Sequence, residues 1–439
     1  MADPATFRDR RERLMGMLGD GAALLLVAPP ETRRNADVDH PYRISSDFYY
    51  LTGFSEPESA VLFRPGAETP LTMFVRPKDP DRERWEGRRA GLEGATERFG
   101  ADVAYEIEEL EDRLPELIAN ATDLLYPLGE NAEADRIVAR AVARLRARPR
   151  RGKRPPQRIA DPHYTLHELR LRKDAAEVET LRRAAAITDE AHRAAMALAA
   201  PGVNEAELEA IVNYTFRSRG GAGPGYGTIV GSGDNATILH YVENDQPLAD
   251  GDLVLIDAGC EYAYYTADVT RTFPANGRFT PAQRRVYEIV LRAEEATIEL
   301  ARPGNSIEQL HARCVELLTE GMVELGLLEK PASARIEDGS YKRYYPHQTS
   351  HWLGMDVHDV GSYTEDGQPR PLEPGMVITI EPGLYIPDED ESAPAELRGV
   401  GVRLEDNVLI TDGDPDNLTR ATPSSIEDIE AACRERQRA

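Results

Sequence analysis

One stretch decides the fold of this chain: Leu253-Val-Leu-Ile-Asp257-Ala-Gly-Cys-Glu-Tyr-Ala-Tyr-Tyr-Thr-Ala-Asp268-Val-Thr-Arg-Thr-Phe273. An apolar run ends in the carboxylate of Asp257, and a second β-prone run, after a short polar and aromatic turn, carries Asp268. Two such runs in close succession predict antiparallel strands with the two carboxylates side by side. Neighbouring buried carboxylates repel each other, so the stretch indicates either a bound metal ion or two solvated acids at strand ends.

The composition bounds the class of protein. The chain has 439 residues, with 41% hydrophobic and 29% charged residues, which is enough for two globular domains. The net charge of −25 argues against nucleic acid as the main partner. No run approaches the length of a membrane span, and the first residues lack the apolar core of a secretory signal. The three cysteines form neither a disulfide framework nor a Cys-x-x-Cys zinc pair, and they favour a reducing, cytoplasmic setting.

Residues 1–170 are predicted to form a small α/β domain. Strand patterns alternate with helical segments, and the strands are expected at residues 22–28, 46–54, 60–63 and 71–75. The domain ends after a connector rich in proline and arginine, residues 144–158. Its sequence offers no catalytic cluster. Trp85 lies among charges within residues 82–89, which indicates a surface tryptophan or, as the alternative, a contact with another subunit.

Residues 171–439 are predicted to form an α+β catalytic domain with two pseudo-symmetric halves. Each half starts with two helices, and capping boxes mark all four starts: Asp174 with Glu177, Asn204 with Glu207, Thr280 with Gln283, and Ser306 with Gln309. Strands are expected at residues 226–230 and 236–241, ahead of the central hairpin. The run Met376-Val-Ile-Thr-Ile-Glu381-Pro-Gly383 then repeats the central pattern of an apolar strand, an acid, one residue and a glycine. Facing halves would bring these acids together.

Further polar residues join the hairpin. Apart from Asp257, Asp268 and Glu381, they are His240 on a predicted strand, the cluster His347, His351 and His358, and the pair Arg403 and Glu405, which strand alternation places on one face. A lone histidine or acid is most often structural, but four strand-borne carboxylates need about two divalent cations to balance their charge. One imidazole among several carboxylates suits Mn²⁺, Co²⁺, Fe²⁺ or Zn²⁺, and the excess of oxygen favours Mn²⁺. The remaining histidines are available for proton transfer or oxyanion stabilisation.

These motifs resemble those of the Xaa-Pro aminopeptidase (aminopeptidase P) group of the pita-bread metallopeptidase family. The resemblance spans nearly the whole chain and rests on residues 42–54, Ile229-Val-Gly-Ser-Gly233, the hairpin, residues 350–361, Ile380-Glu-Pro-Gly-Leu-Tyr385 and Val402-Arg-Leu-Glu405. It implies the pita-bread fold and a dinuclear metal aminopeptidase that releases the N-terminal residue of peptides with proline in second position.

The resemblance also implies a role for each metal ligand. Asp257 would hold one metal ion with both oxygens. Asp268 and Glu405 would bridge the two ions, and His351 and Glu381 would bind the second. Water would attack the carbonyl of the bond before proline, with Glu381 managing its proton.

Other positions resemble the substrate-handling residues of the family. His240, His347 and His358 would position the substrate and stabilise the oxyanion, and Tyr385 and Arg403 would support the metal ligands. Trp85 resembles a tryptophan that approaches the active site of a neighbouring subunit in tetramers, which implies a homodimer or homotetramer.

Four alternative functions share this fold, and the sequence disfavours two of them. A prolidase, which cleaves Xaa-Pro dipeptides only, would share the fold and the metal ligands. A non-catalytic binding protein on the same fold would be marked by lost metal ligands, and none is lost. A creatinase-like hydrolase is disfavoured because that branch works without the metal set, and methionine aminopeptidase lacks so large an N-terminal domain.

Overall fold

The computed structural model of the protein describes residues 4–147 and 152–435. The chain divides into two compact units, Met1–Leu169 and Arg170–Ala439. Residues 148–151, in the middle of the basic connector, lie outside the described residues. None of the helices in the two described ranges has the length and apolar character that a membrane crossing requires.

The first unit is built on a six-stranded mixed sheet. Its helices are α1 (Pro4–Leu18), α2 (Ser46–Thr52), α3 (Pro80–Glu86), α4 (Gly91–Glu97), α5 (Leu110–Leu117), α6 (Ala132–Arg146) and the start of α7 (His163–Leu171). Its strands are β1 (Ala22–Val27), β2 (Arg33–Asn35), β3 (Val38–Asp39), β4 (Ala60–Phe63), β5 (Leu71–Val75), β6 (Val103–Glu106), β7 (Asp123–Leu125) and β8 (Arg158–Ala160). The strand order in the sheet is β6-β5-β4-β1-β7-β8, and β2 pairs with β3 alone.

The buried strands of this sheet are those whose sequence is a continuous apolar run. β1, β4 and β5 confirm three of the predicted strands, and all their residues except Val27 are buried. Helices α5 and α6 cover one face, where Leu114 and Val138 pack with Leu25 and Leu62 in one core. Apolar runs buried on both faces are typical of strands in the middle of a sheet that helices cover.

The predicted strand at residues 46–54 is wrong. Ser46–Thr52 form helix α2, which ends at Gly53 in the left-handed conformation, with φ of 66°. Phe48, Tyr49 and Leu51 are all buried. The β propensity of these aromatic residues is a weak preference, and burial of the helix on several sides outweighs it. Gly53 is the local signal for the helix end, since glycine adopts positive φ without the cost that a Cβ imposes.

The second unit has an α+β architecture. Its helices are α8 (Ala175–Leu198), α9 (Glu205–Ser218), α10 (Pro281–Leu300), α11 (Ile307–Glu324), α12 (Ala332–Glu337) and α13 (Ile426–Arg434). Its strands are β9 (Gly223–Pro224), β10 (Ile229–Ser232), β11 (Leu253–Asp257), β12 (Cys260–Tyr262), β13 (Tyr265–Thr266), β14 (Thr270–Pro274), β15 (Thr364–Glu365), β16 (Gln368–Pro369), β17 (Val377–Ile380), β18 (Gly383–Ile386), β19 (Val400–Arg403), β20 (Asp406–Leu409) and β21 (Asp416–Asn417).

Two pairs of helices and two small sheets repeat within this unit. The helix pair α8 and α9 is matched by α10 and α11, and all four predicted capping boxes form at their N-termini. The sheet β10-β11-β14 is matched by β17-β20-β21. Each sheet carries one acid at the end of a strand, since Asp257 ends β11 and Glu381 directly follows β17. The repeat predicted from the sequence is therefore present in helices, strands and acids.

Two details of the predicted strands need correction. Residues 236–241 form no strand, because a 3-10 turn spans Gly233–Thr237 and His240 lies in the turn that follows. The tight turn after β10 therefore includes residues that were predicted to form an extended strand. Asp268 was expected within a strand, but it lies just before β14, with Val269 between it and the first strand residue, Thr270.

The central hairpin is held by a close contact at its base. β11 pairs with β14 in antiparallel register, with Asp257 opposite Thr270. Next to this pair, Gly259 packs on the backbone of Ala267, where an added Cβ would lie 1.7 Å from the carbonyl oxygen. Any side chain at residue 259 would therefore push the segment that carries Asp268 away from β11.

We predict that Gly259→Ala destabilises the protein by about 1–3 kcal/mol or more, because its Cβ meets rigid backbone. Gly413→Ala is the matched control, since its Cβ would meet only Thr411 Oγ1 at 3.8 Å. It should change the free energy of unfolding by less than about 0.5 kcal/mol. Denaturant unfolding of both variants measures the difference, and equal values would contradict the steric account.

Candidate active site

The predicted site residues of the second unit converge on one cavity of about 810 Å³. Its wall includes His240, Asp257, Asp268, His347, His351, His358, Glu381, Arg403 and Glu405. Tyr385 is buried behind this wall and contacts two of its members, Arg403 and His347. Trp85 belongs to the other unit, where it lies on α3 with 90% of its surface exposed. The wall also contains Gln348 and Tyr226, which adjoin the polar cluster.

Backbone contacts between the two halves bring the acids together. Glu405 lies between β19 and β20, and its backbone N–H donates to the Thr270 carbonyl at 3.1 Å. The side-chain amide of Asn407 clamps Asp268 on both sides: its oxygen accepts from the Asp268 N–H at 3.0 Å, and its nitrogen donates to the Asp268 carbonyl. Asp257 and Asp268 from the first half thus face Glu405 from the second.

His351 is oriented with one ring nitrogen toward the acids. Its Nδ1 lies 2.9 Å from the carbonyl oxygen of Trp352, which accepts the ring N–H. The Nε2 atom therefore faces Asp268 Oδ2 at 3.3 Å and Glu381 Oε1 at 3.6 Å. A backbone carbonyl that fixes the tautomer in this way is typical of metal-binding histidines. One ligand atom each of Asp268, His351 and Glu405 lie within 4.8 Å of one another.

Burial of these carboxylates is electrostatically costly. Asp257, Asp268 and Glu405 are at most 9% exposed. Burial raises the pKa of Asp257, and burial together with the Asp268 and Glu381 charges raises the pKa of Glu405 well above its usual value. Burial, opposed by His351, raises the pKa of Glu381 to about 7. Divalent cations would remove this cost, so the donor set, four carboxylates and one correctly oriented imidazole, fits two such ions.

Among the described residues that line the cavity, Arg403 is the one arginine, and it holds three neighbours in place. Its Nη2 donates to Asp257 Oδ2 at 2.7 Å, and its Nη1 donates to the Tyr385 hydroxyl at 3.2 Å. Its Nε donates to Thr270 Oγ1, which in turn donates to Glu405 Oε2 at 2.7 Å. A buried guanidinium in this position compensates part of the carboxylate charge and fixes the direction of two acids.

His347 continues this network toward the cavity. Its Nε2 lies 2.8 Å from the Tyr385 hydroxyl, and its Nδ1 lies 2.7 Å from the Gln348 carbonyl oxygen. The carbonyl can only accept, so Nδ1 carries the proton and Nε2 accepts from Tyr385. Burial and the nearby Arg403 charge lower the pKa of His347 to about 3. The imidazole is therefore neutral over the ordinary pH range.

The other two histidines border the cavity with fewer polar contacts. The ring of His358 meets the ring of His351 edge to face, with centroids 4.5 Å apart. Burial, and then the His351 charge, lower the pKa of His358. His240 reaches the cavity from the turn after the 3-10 segment. Both therefore adjoin the acid cluster from within the cavity wall.

Sequence reasoning missed three residues that shape this site. The Tyr226 hydroxyl lies 2.6 Å from Asp257 Oδ1 and 2.5 Å from Asp268 Oδ1. Thr270 and Asn407, described above, orient Glu405 and Asp268. Tyr226 precedes β10 in a glycine-rich segment, and no pattern there marks it as polar-site chemistry. Asn407 had a weak signal, since it is an amide two residues after the predicted ligand Glu405, at the start of β20.

Two known family patterns match the sequence of this chain. The sequence pattern of metallopeptidase family M24 matches residues 179–412, and that of the aminopeptidase P N-terminal domain matches residues 7–126. The chain belongs to metallopeptidase family M24. It is 44% identical to the Xaa-Pro aminopeptidase of Escherichia coli, over 97% of this chain and 96% of that protein. Human Xaa-Pro aminopeptidase 3 is 35% identical over 97% of this chain and 85% of its own length.

Solved structures of the M24 family match along the whole chain. The Pseudomonas aeruginosa aminopeptidase PepP superposes with a TM-score of 0.98 at 43% identity, covering 100% of this chain and 99% of that one. The low-pH form of E. coli aminopeptidase P gives 0.97 at 42% identity, with 100% of both chains covered. These matches confirm the predicted fold class, an α/β N-terminal domain followed by a pita-bread catalytic domain, and the predicted class of enzyme, a metallo-exopeptidase.

We predict that the ionisation of Glu381 lowers the stability of the metal-free protein as pH rises from about 4.5 to about 7. Burial raises the pKa of Glu381 from 4.5 to about 7, so this carboxyl group binds more protons in the folded state than in the unfolded state over this range. Its contribution to the free energy of unfolding then falls with rising pH. Because the lowered pKa of His347 contributes with the opposite sign, Glu381→Gln is the reference that isolates the effect. The difference in thermal stability between the chelated unaltered protein and chelated Glu381→Gln should fall over this range, and a difference that rises with pH would contradict the prediction.

Proposed function

We propose that this chain hydrolyses the peptide bond between an N-terminal residue and a proline in second position. The convergence of Asp257, Asp268, His351, Glu381 and Glu405 on one cavity carries the proposal, since these side chains fit two divalent cations. The relatives named Xaa-Pro aminopeptidase in E. coli and Haemophilus influenzae, 44% and 43% identical, support the substrate class.

Mn²⁺ is the proposed metal, because one imidazole among four carboxylates is an oxygen-rich donor set. The two ions would be held by Asp257, Asp268, His351, Glu381 and Glu405. When bound, two such ions activate a water molecule and polarise the carbonyl oxygen of the scissile bond. The donor set admits Co²⁺, Fe²⁺ or Zn²⁺ as alternatives.

Glu381 is the proposed proton carrier. A carboxylate held beside the attacking water can take a proton from it and return that proton to the proline nitrogen as the nitrogen leaves. The Thr379 hydroxyl, 3.4 Å from Glu381 Oε1, helps to orient it. The Arg403 charge opposes the rise that burial causes in the pKa of Asp257, and its hydrogen bond holds that carboxylate in place.

The histidines receive two different roles in this proposal. His358 and His240 line the cavity and would donate hydrogen bonds to the substrate and to the tetrahedral oxyanion. His347 would act through Tyr385, because both of its ring nitrogens already have partners. Its Nε2 accepts a hydrogen bond from the Tyr385 hydroxyl, and its Nδ1–H donates to the Gln348 carbonyl oxygen. Gln348 itself lines the cavity beside His347, and it would shape the pocket there.

We further propose that the enzyme acts in the cytoplasm as a homodimer or homotetramer. Cys260 and Cys314 are buried free thiols, which suits a reducing compartment. Trp85 is 90% exposed on α3, whose other side chains are almost all charged or polar. An aromatic side chain presented in this way suits a contact that walls the active-site mouth of a neighbouring subunit.

A panel of three peptides tests the substrate class. Ala-Pro-Ala should lose its first alanine, whereas Ala-Ala-Ala should be cleaved at least about a hundredfold less efficiently in kcat/KM. Mass spectrometry of the products measures both. Cleavage confined to the dipeptide Ala-Pro would overturn the aminopeptidase proposal in favour of a prolidase, and no cleavage of any peptide in the presence of Mn²⁺ would favour a binding protein.

His358→Ala should keep both metal ions and lose about a hundredfold or more in kcat, because a hydrogen bond to the transition state is lost. His351→Ala is the contrasting variant, because it removes a proposed metal ligand and should lower the metal content below two per chain. Metal analysis and steady-state kinetics on both variants measure the difference. Loss of metal from His358→Ala alone would reverse the assignment.

Trp85→Ala should raise KM for Xaa-Pro peptides while the metal content stays at two ions in the active site, because it removes part of a binding wall and no ligand. Met17→Ala, which truncates another exposed apolar side chain of the same unit, should leave KM unchanged. Solution scattering should give a mass larger than the 48.7 kDa of one chain. A monomer with unchanged KM in Trp85→Ala would refute this role.

A further inference from the structure

A second cluster of metal-ligating side chains lies wholly within the first unit. It consists of Asp47 on α2 and of His163 and His167, one turn apart on α7. One ligand atom from each of the three lies within 4.8 Å of the other two. No step of the proposed peptide hydrolysis uses these residues.

The two histidines present the same ring nitrogen to the same carboxylate oxygen. His163 Nε2 lies 3.8 Å from Asp47 Oδ2, and His167 Nε2 lies 3.5 Å from that atom. The rings stack with centroids 4.6 Å apart and an interplanar angle of 24°. Histidines at positions i and i+4 of a helix are a known arrangement for holding one zinc ion.

A carboxylate oxygen of Glu130 supplies a fourth ligand atom. Glu130 Oε1 lies 3.2 Å from His163 Nε2. Ligands that surround a zinc ion tetrahedrally at about 2.1 Å stand about 3.4 Å from one another. The separations of 3.2, 3.5 and 3.8 Å between these atoms bracket that value. Three of the ligand separations therefore already match a tetrahedral site. The Glu130 side chain, which is 61% exposed and is not within 4.8 Å of all three other ligand atoms, completes the site by a shift toward them.

A second observation points independently to a cation. Asp161 Oδ1 lies 2.9 Å from His163 Nδ1 and also accepts the His163 backbone N–H at 2.9 Å. The Asp161 carboxylate accepts a hydrogen bond from the His163 Nδ1–H. The lone pair of Nε2 is then directed at Asp47 and Glu130. A carboxylate behind a histidine, with the opposite nitrogen facing the ligand position, is the usual support of a zinc-bound imidazole.

We propose that Asp47, Glu130, His163 and His167 bind a structural zinc ion in the first unit, separate from the catalytic cluster. All four protein ligands are present, and sites closed in this way are structural, since no position is left for substrate. The side chains of Asp47, His163 and His167 are 13%, 26% and 28% exposed, so an ion can enter from solvent. The ion joins α2, the loop after β7 and α7, which are distant in sequence.

Zinc binding to the full-length protein tests the proposal. After loading with Zn²⁺ and desalting, the double variant His163→Asn/His167→Asn should retain one equivalent of zinc fewer per chain than the unaltered protein. Its kcat/KM on an Xaa-Pro peptide should be unchanged. His40→Asn, an exposed histidine of the same unit, is the matched control and should lose no zinc. Equal zinc content in the double variant and the unaltered protein would overturn the proposal.

A measurement on the unaltered protein removes any dependence on how the variant folds. Diethylpyrocarbonate modifies accessible imidazoles, and peptide mapping by mass spectrometry reports each histidine separately. Zn²⁺ should lower the modification of His163 and His167 at least about tenfold relative to chelated protein, with His40 unaffected. Equal modification with and without Zn²⁺ would overturn the proposal.

Discussion

Repulsion among buried carboxylates that meet at one cavity is the constraint on which the second unit depends. Asp257, Asp268 and Glu405 are almost fully buried, and burial together with the neighbouring carboxylate charges raises the pKa of Glu405 well above its usual value. No packing of apolar side chains offsets this, so the fold must hold a positive charge at the same point. The orientation of His351, the salt bridge of Arg403 and the small sheets that end at the cavity are all consequences of this requirement.

The same constraint explains why the supporting residues are joined in one hydrogen-bond network. Arg403 contacts Asp257 directly and reaches Glu405 through Thr270, and on its other side it donates to Tyr385, which donates to His347. Movement of any side chain in this hydrogen-bond network would leave a buried donor or acceptor unpaired, at a cost of about 1–3 kcal/mol. The substrate-facing wall is therefore fixed by the residues that balance the acids.

The elements that could be predicted from the sequence are those with local causes. Capping boxes such as Asp174 with Glu177 and apolar runs such as Leu253–Asp257 carry their own signal within a few residues. The helix at Ser46–Thr52 does not, because its β-prone aromatic residues form a helix only under burial that distant segments provide.

The residues of the site were also predictable only where the sequence nearby carries a signal. Ligands at strand ends repeat a motif, and the resemblance to a known family names them. Tyr226 belongs to no motif and reaches Asp257 only through the tertiary fold. His163 and His167 have the spacing of a metal pair, but Asp47 is 116 residues before His163 and was expected on a strand. A cluster whose members meet only in three dimensions leaves no pattern that a single sequence displays.

The clamp of Asn407 on Asp268 has a consequence for the order of assembly. These residues are 139 positions apart, and they join the two halves of the second unit at its centre. Closing so long a loop costs conformational entropy before any contact repays it. The first half can bring Asp257 and Asp268 together, but His351, Glu381 and Glu405 arrive only when the second half docks. A chain growing from the ribosome therefore acquires its ligand set in one late step, and the capacity to retain two ions reports complete folding of the unit.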